Sequence, residues 1–363
     1  MLYCKQSLTI GELATLVRRI ASIAVIGAAL SGCVMDMALE DLSSVPPQIS
    51  GKMVAEMSKK GMKAESPILV RIFKQESELE VWKIDMSGKY SLLKSYPMCR
   101  WSGKLGPKTK SGDRQAPEGF YHVSAGMLNP KSQYYVSFNL GYPNRLEAAL
   151  EYTGEALMVH GACSSSGCYA LTDQGVGEIY AIAAKALSSG QDRFQVQAYP
   201  FRMTPENMVL HRADPNMPFW RILKEGYDWF ELTKRQPKVS VCGRRYVFNT
   251  AFEGGEPADP LAACPPVVAP PDQQLLAQMD VEKKKVEAAM AEATASALNA
   301  YTDGGMHPSF RALLAKEGAD KLAARISATN YPVSRPDAAL ADPFKGGRKR
   351  AGAGTISAQA PGD

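Results

Sequence analysis

The chain has 363 residues, 45% of them apolar and 22% charged, with a formal net charge of +5. That length supports a sizeable core, as two domains or as one domain with extensions. The charge surplus is small and no basic face is interleaved with aromatics, which argues against nucleic acid as a partner.

Residues 1–32 read as a lipoprotein signal peptide. Lys5, Arg18 and Arg19 precede an apolar stretch, Ile20 to Leu30, that is too short to span a bilayer and suits a signal-peptide core. It ends in Leu30-Ser31-Gly32-Cys33, which resembles a bacterial lipobox and makes Cys33 the lipidated first residue of the mature protein. A plain signal peptide or a short anchor is the alternative. Export also changes the cysteine count. Without Cys4 and Cys33, five remain: Cys99, Cys163, Cys168, Cys242 and Cys264. An odd number in an oxidising compartment implies one free thiol and up to two bridges. With Cys168 free, three pairings of the other four stay open.

Residues 33–66 form a membrane tether and an N-terminal helix, the helix spanning 47–61 with Met53, Met57 and Met62 near one packing face. Ile68 to Phe73 and Leu79 to Ile84 alternate apolar with charged residues, the pattern of two half-buried strands around the polar turn Lys74 to Glu78. Tyr90 to Trp101 continues as a strand. Residues 102–119, rich in Gly, Lys, Ser and Pro, form a long loop, and long loops on a β scaffold tend to carry sites. Tyr121 to Ser124 and Gln133 to Leu140 read as strands, with His122 structural.

The apolar run Ala156 to Val159 reads as a buried strand delivering His160 and Gly161 to its end. A short loop of Ser and Gly then closes on Cys168. A thiol and an imidazole that meet across such a loop form a nucleophile–base pair, with the thiolate as the attacking species. Gly167 lets the backbone turn tightly, so that the Gly167 and Cys168 N–H groups can face a developing oxyanion. Two plainer readings compete: His160, Cys163 and Cys168 as three metal ligands, or Cys163–Cys168 as a structural disulfide.

Beyond the loop, Thr172-Asp173-Gln174-Gly175 starts a helix running to about Ser188, with Asp173 as a cap rather than a catalytic carboxylate. Phe194 to Tyr199 is a strand. Residues 204–235 are helical, with Trp220, Leu223, Tyr227 and Phe230 as a packing stripe. Val239 to Cys242 and Arg245 to Phe248 make a hairpin around Gly243-Arg244. The folded part is expected to end near 255. Residues 256–363 read as a Pro/Ala-rich linker, a solvated helix over Asp272 to Ala300 and a disordered tail with the basic cluster Lys345 to Arg350.

The stretch around Cys168 resembles the catalytic motif of the L,D-transpeptidase (YkuD-type) family, where a strand-end His-Gly is followed by Ser-His-Gly-Cys. His160-Gly161 matches the first half, and Ser165-Ser166-Gly167-Cys168 matches the second except at one position. Upstream, Ser102-Gly103-Lys104-Leu105-Gly106-Pro107 and Gln115-Ala116-Pro117-Glu118-Gly119-Phe120-Tyr121 resemble two further elements of that family. With Ser137 to Asn144 between, the wording is closest to its YafK-like branch. The resemblance implies a β-rich α+β fold: a β-sandwich or barrel catalytic domain over 67–203, extended by helices and a hairpin over 204–255.

It further implies Cys168 as nucleophile and His160 as general base and acid, with Gly167 shaping the turn and oxyanion site and Ser166 orienting or touching substrate. Gly161, Ser165, Arg100 and Lys104 are expected to contact substrate. Lys104, Lys108, Lys110 and Arg114 either meet acidic parts of a glycan-peptide polymer or form a solvated loop face. The implied reaction is acyl transfer at meso-diaminopimelate in peptidoglycan stem peptides, with no cofactor and no metal. An amine resolves the acyl-enzyme to give L,D-transpeptidation; water gives amide hydrolysis, releasing peptidoglycan-linked envelope proteins. Two departures stand out: Ser166 replaces the family's His, and Ala170 replaces its Arg or Asn. With the short loop from Gly161 to Gly167, they leave hydrolysis at least as favoured as cross-linking. The implied location is the periplasm-facing envelope, at the outer rather than the inner membrane, held by the lipid anchor. A peptidoglycan-binding lipoprotein on a decayed catalytic fold is the non-enzymatic alternative.

Overall fold

The computed structural model describes residues 46–269, 272–294 and 301–341. The export signal, Cys33 and the cluster Lys345 to Arg350 lie outside the described residues. In chain order the elements are helix α1 (Gly51–Lys59), then strands β1 (Ile68–Phe73), β2 (Glu78–Ile84), β3 (Tyr90–Pro97), β4 (Arg100–Trp101), β5 (Gly119–Ser124), β6 (Leu128–Ser132) and β7 (Tyr135–Asn139). Next come α2 (Arg145–Ala149), β8 (Met158–His160), β9 (Tyr169–Ala170), α3 (Asp173–Ser188), β10 (Arg193–Tyr199), α4 (Pro205–Leu210) and α5 (Met217–Thr233). The hairpin β11 (Val239–Cys242) and β12 (Arg245–Phe248) follows, then the short pair β13 (Ala251–Phe252) and β14 (Val267–Ala269). Four helices close the described chain: α6 (Gln273–Glu292), α7 (Pro308–Glu317), α8 (Ala319–Ile326) and α9 (Pro336–Leu340).

These elements build a mixed α+β structure around two five-stranded sheets, ordered β3-β2-β1-β10-β5 and β4-β9-β8-β7-β6. Both sheets are open, so no barrel closes among the described residues. One hydrophobic cluster draws Phe73, Phe120 and Val196 from the first sheet, Phe138, Val159 and Tyr169 from the second, Ile179 from α3 and Trp220 from α5. The alternating pattern of β1 suggests a half-buried strand, yet all six of its residues are buried. The reason is position: β2 lies antiparallel on one side and β10 parallel on the other. Its single charge, Arg71, sits 4.6 Å from the Tyr227 ring centroid and 4.7 Å from that of Phe230, and its Nη1 donates to Glu231 Oε1 at 2.6 Å. Aromatic faces are a favourable surrounding for a buried guanidinium.

The long loop 102–118 is anchored from inside. Lys74 follows β1 and Glu118 precedes β5; both side chains are fully buried and their Nζ–Oε1 distance is 2.9 Å. Lys74 Nζ also donates to the carbonyls of Gly106 and Ala116, while Glu118 accepts from Gly106 N and from Trp220 Nε1 of α5. This network holds both ends of the loop against the first sheet.

The folded chain does not end near 255. Met306, Phe310, Leu314, Leu322, Ala323, Ile326 and Val333 form a second buried cluster with Cys99, Cys163 and Ala170. Gly305 bridges to Trp101 of β4, and Gly304 approaches so closely that a Cβ there would lie 1.9 Å from the Trp101 carbonyl oxygen. The expected disordered tail is therefore, over 301–341, a packed part of the domain. Its short helices, broken by Gly and Pro, conceal the signal: each carries only one to three buried apolar residues. Helix α6 is mostly exposed, as its composition implies, with Val286 as its buried contact.

Leu322→Ala in the full chain should cost about 2–5 kcal/mol through lost burial and a residual cavity. Thermal melting of variant and parent measures this; an unchanged midpoint would show that the 301–341 segment is only loosely attached.

Candidate active site

The site grows from one topological compression. Strands β8 and β9 are neighbours in sequence and pair in parallel, Val159 opposite Tyr169 and His160 opposite Ala170. Parallel pairs ordinarily need a crossover of about a dozen residues or more; here only residues 161–168 make the return. The backbone meets this with positive φ at Ala162 (60°) and Gly167 (127°), and with a disulfide from Cys163 to Cys99. The second bridge is Cys242–Cys264. These pairings remove the Cys163–Cys168 disulfide reading, and they take Cys163 out of a three-ligand metal site. Cys168 is the free thiol among the described cysteines.

Register places the reactive groups. Cys168 directly precedes Tyr169, the partner of Val159, and Ala170 pairs with His160, so the thiol and the imidazole sit on neighbouring segments of one sheet. The Met158 N–H donates to Cys168 Sγ at 3.4 Å, and Sγ lies 3.8 Å from the Ala156 carbonyl. His160 is buried, and its Nδ1 donates to the Gly161 carbonyl at 2.5 Å. Since a carbonyl only accepts, Nδ1 carries the proton and the neutral ring keeps its lone pair on Nε2. The Tyr134 ring stacks on this imidazole, centroids 4.4 Å apart, and Tyr331 packs on Tyr134 at 4.7 Å.

Electrostatics keeps both groups uncharged at rest. Burial disfavours the imidazolium and lowers the His160 pKa to about 4, against the partial compensation of the Gly161 carbonyl. Burial likewise pushes the Cys168 thiol up, while the Met158 N–H and the positive charge of Lys108 pull the other way. The resting site thus holds a protonated thiol and a neutral imidazole.

The loop itself is held by serines. Ser165 Oγ donates to the Cys168 carbonyl at 2.7 Å and lies 2.9 Å from Ser102 Oγ. Ser102 Oγ accepts from the Gly167 N–H at 2.6 Å. Gly167 therefore makes the turn, but its N–H is already engaged and is not a ready oxyanion donor. Among the described residues no hydrogen bond uses the Cys168 N–H, which leaves that donor for the role. Ser166 is exposed and its Oγ accepts from Arg114 Nη1 at 3.1 Å; Arg114 Nη2 reaches the Ser165 carbonyl at 3.2 Å. Loop 102–118 thus brings a guanidinium to the nucleophile loop, a placement its sequence position alone does not reveal.

Other expected contacts fall elsewhere. Arg100 is fully buried, its Nε donating to the Ser334 carbonyl at 2.9 Å and its Nη2 to Asp303 at 3.4 Å, so it braces the C-terminal segment and does not face substrate. Gly161 is buried by close approach: a Cβ would lie 2.5 Å from Asp173 Oδ1. Ser165 is buried within the loop. Lys104 is exposed, with its backbone tied to Gln115. Lys108 is buried and pairs with Asp113 at 2.5 Å. Thr172, not Asp173, caps α3; the Asp173 carboxylate instead accepts from the N–H groups of Ala162 and Ala328. Beside Cys168 a groove of about 600 Å3 is lined by Met127, Asn129, Ser137, Asn139, Glu155, Ala156 and Met158 among others. It shares Ala156 and Met158 with the surroundings of the sulfur.

A free thiol, a neutral imidazole and a groove lined in part by Ala156 and Met158 thus stand on a mixed α+β scaffold. No family model matches the sequence. The chain is 48% identical over 184 residues to "Putative L,D-transpeptidase YafK" of Escherichia coli (strain K12), covering 51% of this chain and 74% of that protein; its counterpart in Escherichia coli O157:H7 aligns equally. The chain belongs to the YafK-like L,D-transpeptidase family. Among solved structures, it is similar to the helical cell shape determining protein Pgp2 of Campylobacter jejuni, at 18% identity and a TM-score of 0.31 over 52% of this chain and 80% of that one. Bd1075 of Bdellovibrio bacteriovorus matches at 14% identity and a TM-score of 0.28, over 54% and 80% of the two chains.

Because burial disfavours the thiolate, the rate of Cys168 alkylation by iodoacetamide should rise with pH to a midpoint above the ordinary thiol value of about 8.5. A midpoint near or below neutrality would mean a resting thiolate–imidazolium pair instead.

Proposed function

We propose that this protein is a peptidoglycan-modifying enzyme that acts at meso-diaminopimelate through a Cys168 acyl-enzyme. The observation that carries the reading is the free Cys168 thiol, directly before the strand that pairs with the one bearing a neutral His160 whose Nδ1 is occupied. In the first half-reaction the thiol proton passes to His160 Nε2 as sulfur attacks the amide carbonyl carbon. The oxyanion is met by the Cys168 N–H. Collapse of the intermediate breaks the C–N bond, His160 returns the proton to the leaving amine, and a thioester remains. In the second half-reaction water or an acceptor amine attacks the thioester, His160 again taking its proton, and the thiol is released.

Hydrolysis is at least as favoured as cross-linking. Ala170, where relatives of this type carry Arg or Asn, is buried against the C-terminal cluster and offers no charge. Arg114 supplies a guanidinium at the loop, and Lys104 a second exposed cation, but an acceptor peptide needs several such contacts. Each charge-assisted hydrogen bond lost costs roughly 1.5–3 kcal/mol. Water requires none of them.

The test is turnover of tetrapeptide muropeptides and, separately, of peptidoglycan carrying a covalently attached protein. Cys168→Ala should lower either activity by roughly 10³-fold or more with little change in melting temperature. Abundant new cross-links with no release of attached protein would reverse the preference for hydrolysis. A wild-type protein that binds peptidoglycan without turning it over would favour the decayed-fold alternative.

The same proposal places the protein in the periplasm-facing envelope through lipidation at Cys33. Cys33→Ala should abolish palmitate labelling and leave precursor unprocessed or mislocalised; labelling equal to that of the parent would remove the anchor.

A further inference from the structure

We propose that the C-terminal stretch Tyr331 to Ser334 completes the active site as a positioning element, Ser334 fixing the nucleophile loop and Tyr331 fixing the wall behind His160. The proposal rests on the acyl-transfer reading above and assigns it residues far outside the catalytic motif.

Ser334 is committed to the site from every polar atom. Its Oγ accepts from the Ser165 N–H at 2.9 Å and donates to the Ser165 carbonyl at 3.2 Å. Its own N–H donates to the Cys163 carbonyl at 3.2 Å, and its carbonyl accepts from the buried Arg100 Nε at 2.9 Å. Ser165 in turn donates to the carbonyl of Cys168 at 2.7 Å. A continuous line of hydrogen bonds therefore runs from Ser334 to the backbone of the nucleophile.

Three residues earlier in the chain, Tyr331 packs on Tyr134, and Tyr134 stacks on His160. The two contacts bracket the nucleophile–base pair from one side. Asp303 secures the stretch by pairing with Arg335 Nη1 at 2.8 Å and with Arg100. The Ala328 N–H reaches the Asp173 carboxylate that also holds the Ala162 N–H.

Stability alone does not account for this pattern. The hydrophobic cluster already attaches the segment, and Val333 is the member of 331–334 that joins it. Ser334 and Tyr331 flank Val333 and turn to the loop and to Tyr134. Nor does the stretch act as a lid. The groove beside Cys168 is lined by residues between 126 and 158 and by none from the C-terminal segment. Displacing a reacting group by about 1 Å costs up to about a hundredfold in rate, so a brace on the loop acts on kcat.

The experiment uses the full chain and compares Ser334→Ala, Ser334→Thr, Tyr331→Leu and Tyr331→Phe. Three quantities are read: kcat and KM on muropeptide, the pH profile of Cys168 alkylation by iodoacetamide, and the melting temperature. Ser334→Ala and Tyr331→Leu should lower kcat by about tenfold or more, with KM nearly unchanged and a displaced alkylation midpoint. Ser334→Thr, which keeps the hydroxyl, should restore most of both. Tyr331→Phe keeps the ring against Tyr134 but removes the hydroxyl that bonds to it, and should restore them in part. Unchanged kcat and alkylation profile in the alanine and leucine variants would overturn the proposal. A rise in kcat would also overturn it, by showing an occluding cover. The alkylation profile needs no peptidoglycan. A displaced profile in a protein that turns over no muropeptide therefore upholds the brace while rejecting the substrate reading.

Discussion

Everything near the nucleophile depends on the buried pair Lys74–Glu118. Neither side chain reaches solvent, so each charge is stabilised chiefly by the other and by the hydrogen bonds around them. Those bonds run to Gly106, Ala116 and Trp220, which is to say to both ends of the long loop and to helix α5. Burial lowers the Lys74 pKa while Glu118 opposes that shift. Removing one partner strands the other in a dry interior, a loss of roughly 3–5 kcal/mol. The pair thereby fixes where Ser102 and Arg114 stand, and both touch the nucleophile loop.

The site has two unlike sides. On one lies an open groove with polar side chains such as Asn129, Asn139 and Glu155. On the other lies a dry wall made by the disulfide, Ala170 and the C-terminal helices. Cys168 sits between, half-buried, with its sulfur against the Met158 N–H. Burial explains why both thiol and imidazole stay neutral at rest. It also strengthens each hydrogen bond that steers them, because competing water is excluded.

Much of this was legible in the sequence where the signal is local. The His160–Cys168 loop, the hairpin around Gly243-Arg244 and the stripe Trp220, Leu223, Tyr227, Phe230 are patterns within a dozen residues, and the structure has each of them. Strand β6 was hidden because Leu128-Asn129-Pro130-Lys131-Ser132 has no β-forming pattern and gains its pairing only from β7. The roles of Arg100 and Asp173 were misread because their partners, Ser334, Asp303 and Ala328, lie far along the chain. The packed state of 301–341 was invisible for the same reason. An Ala- and Pro-rich segment with scattered Phe, Leu and Ile looks unfolded until the surface that receives those few side chains is known.

Distance along the chain has a further consequence for when the site comes into being. Ser165 and Ser334 are separated by 169 residues. Closing so long a loop is entropically slow, and contacts of that span form late. A nascent chain that has already made Cys168 and His160 still lacks the residues that bond the loop from behind. The nucleophile is made first and its brace 169 residues away is made much later, so the order of synthesis delays assembly of the complete site until Ser334 has been added.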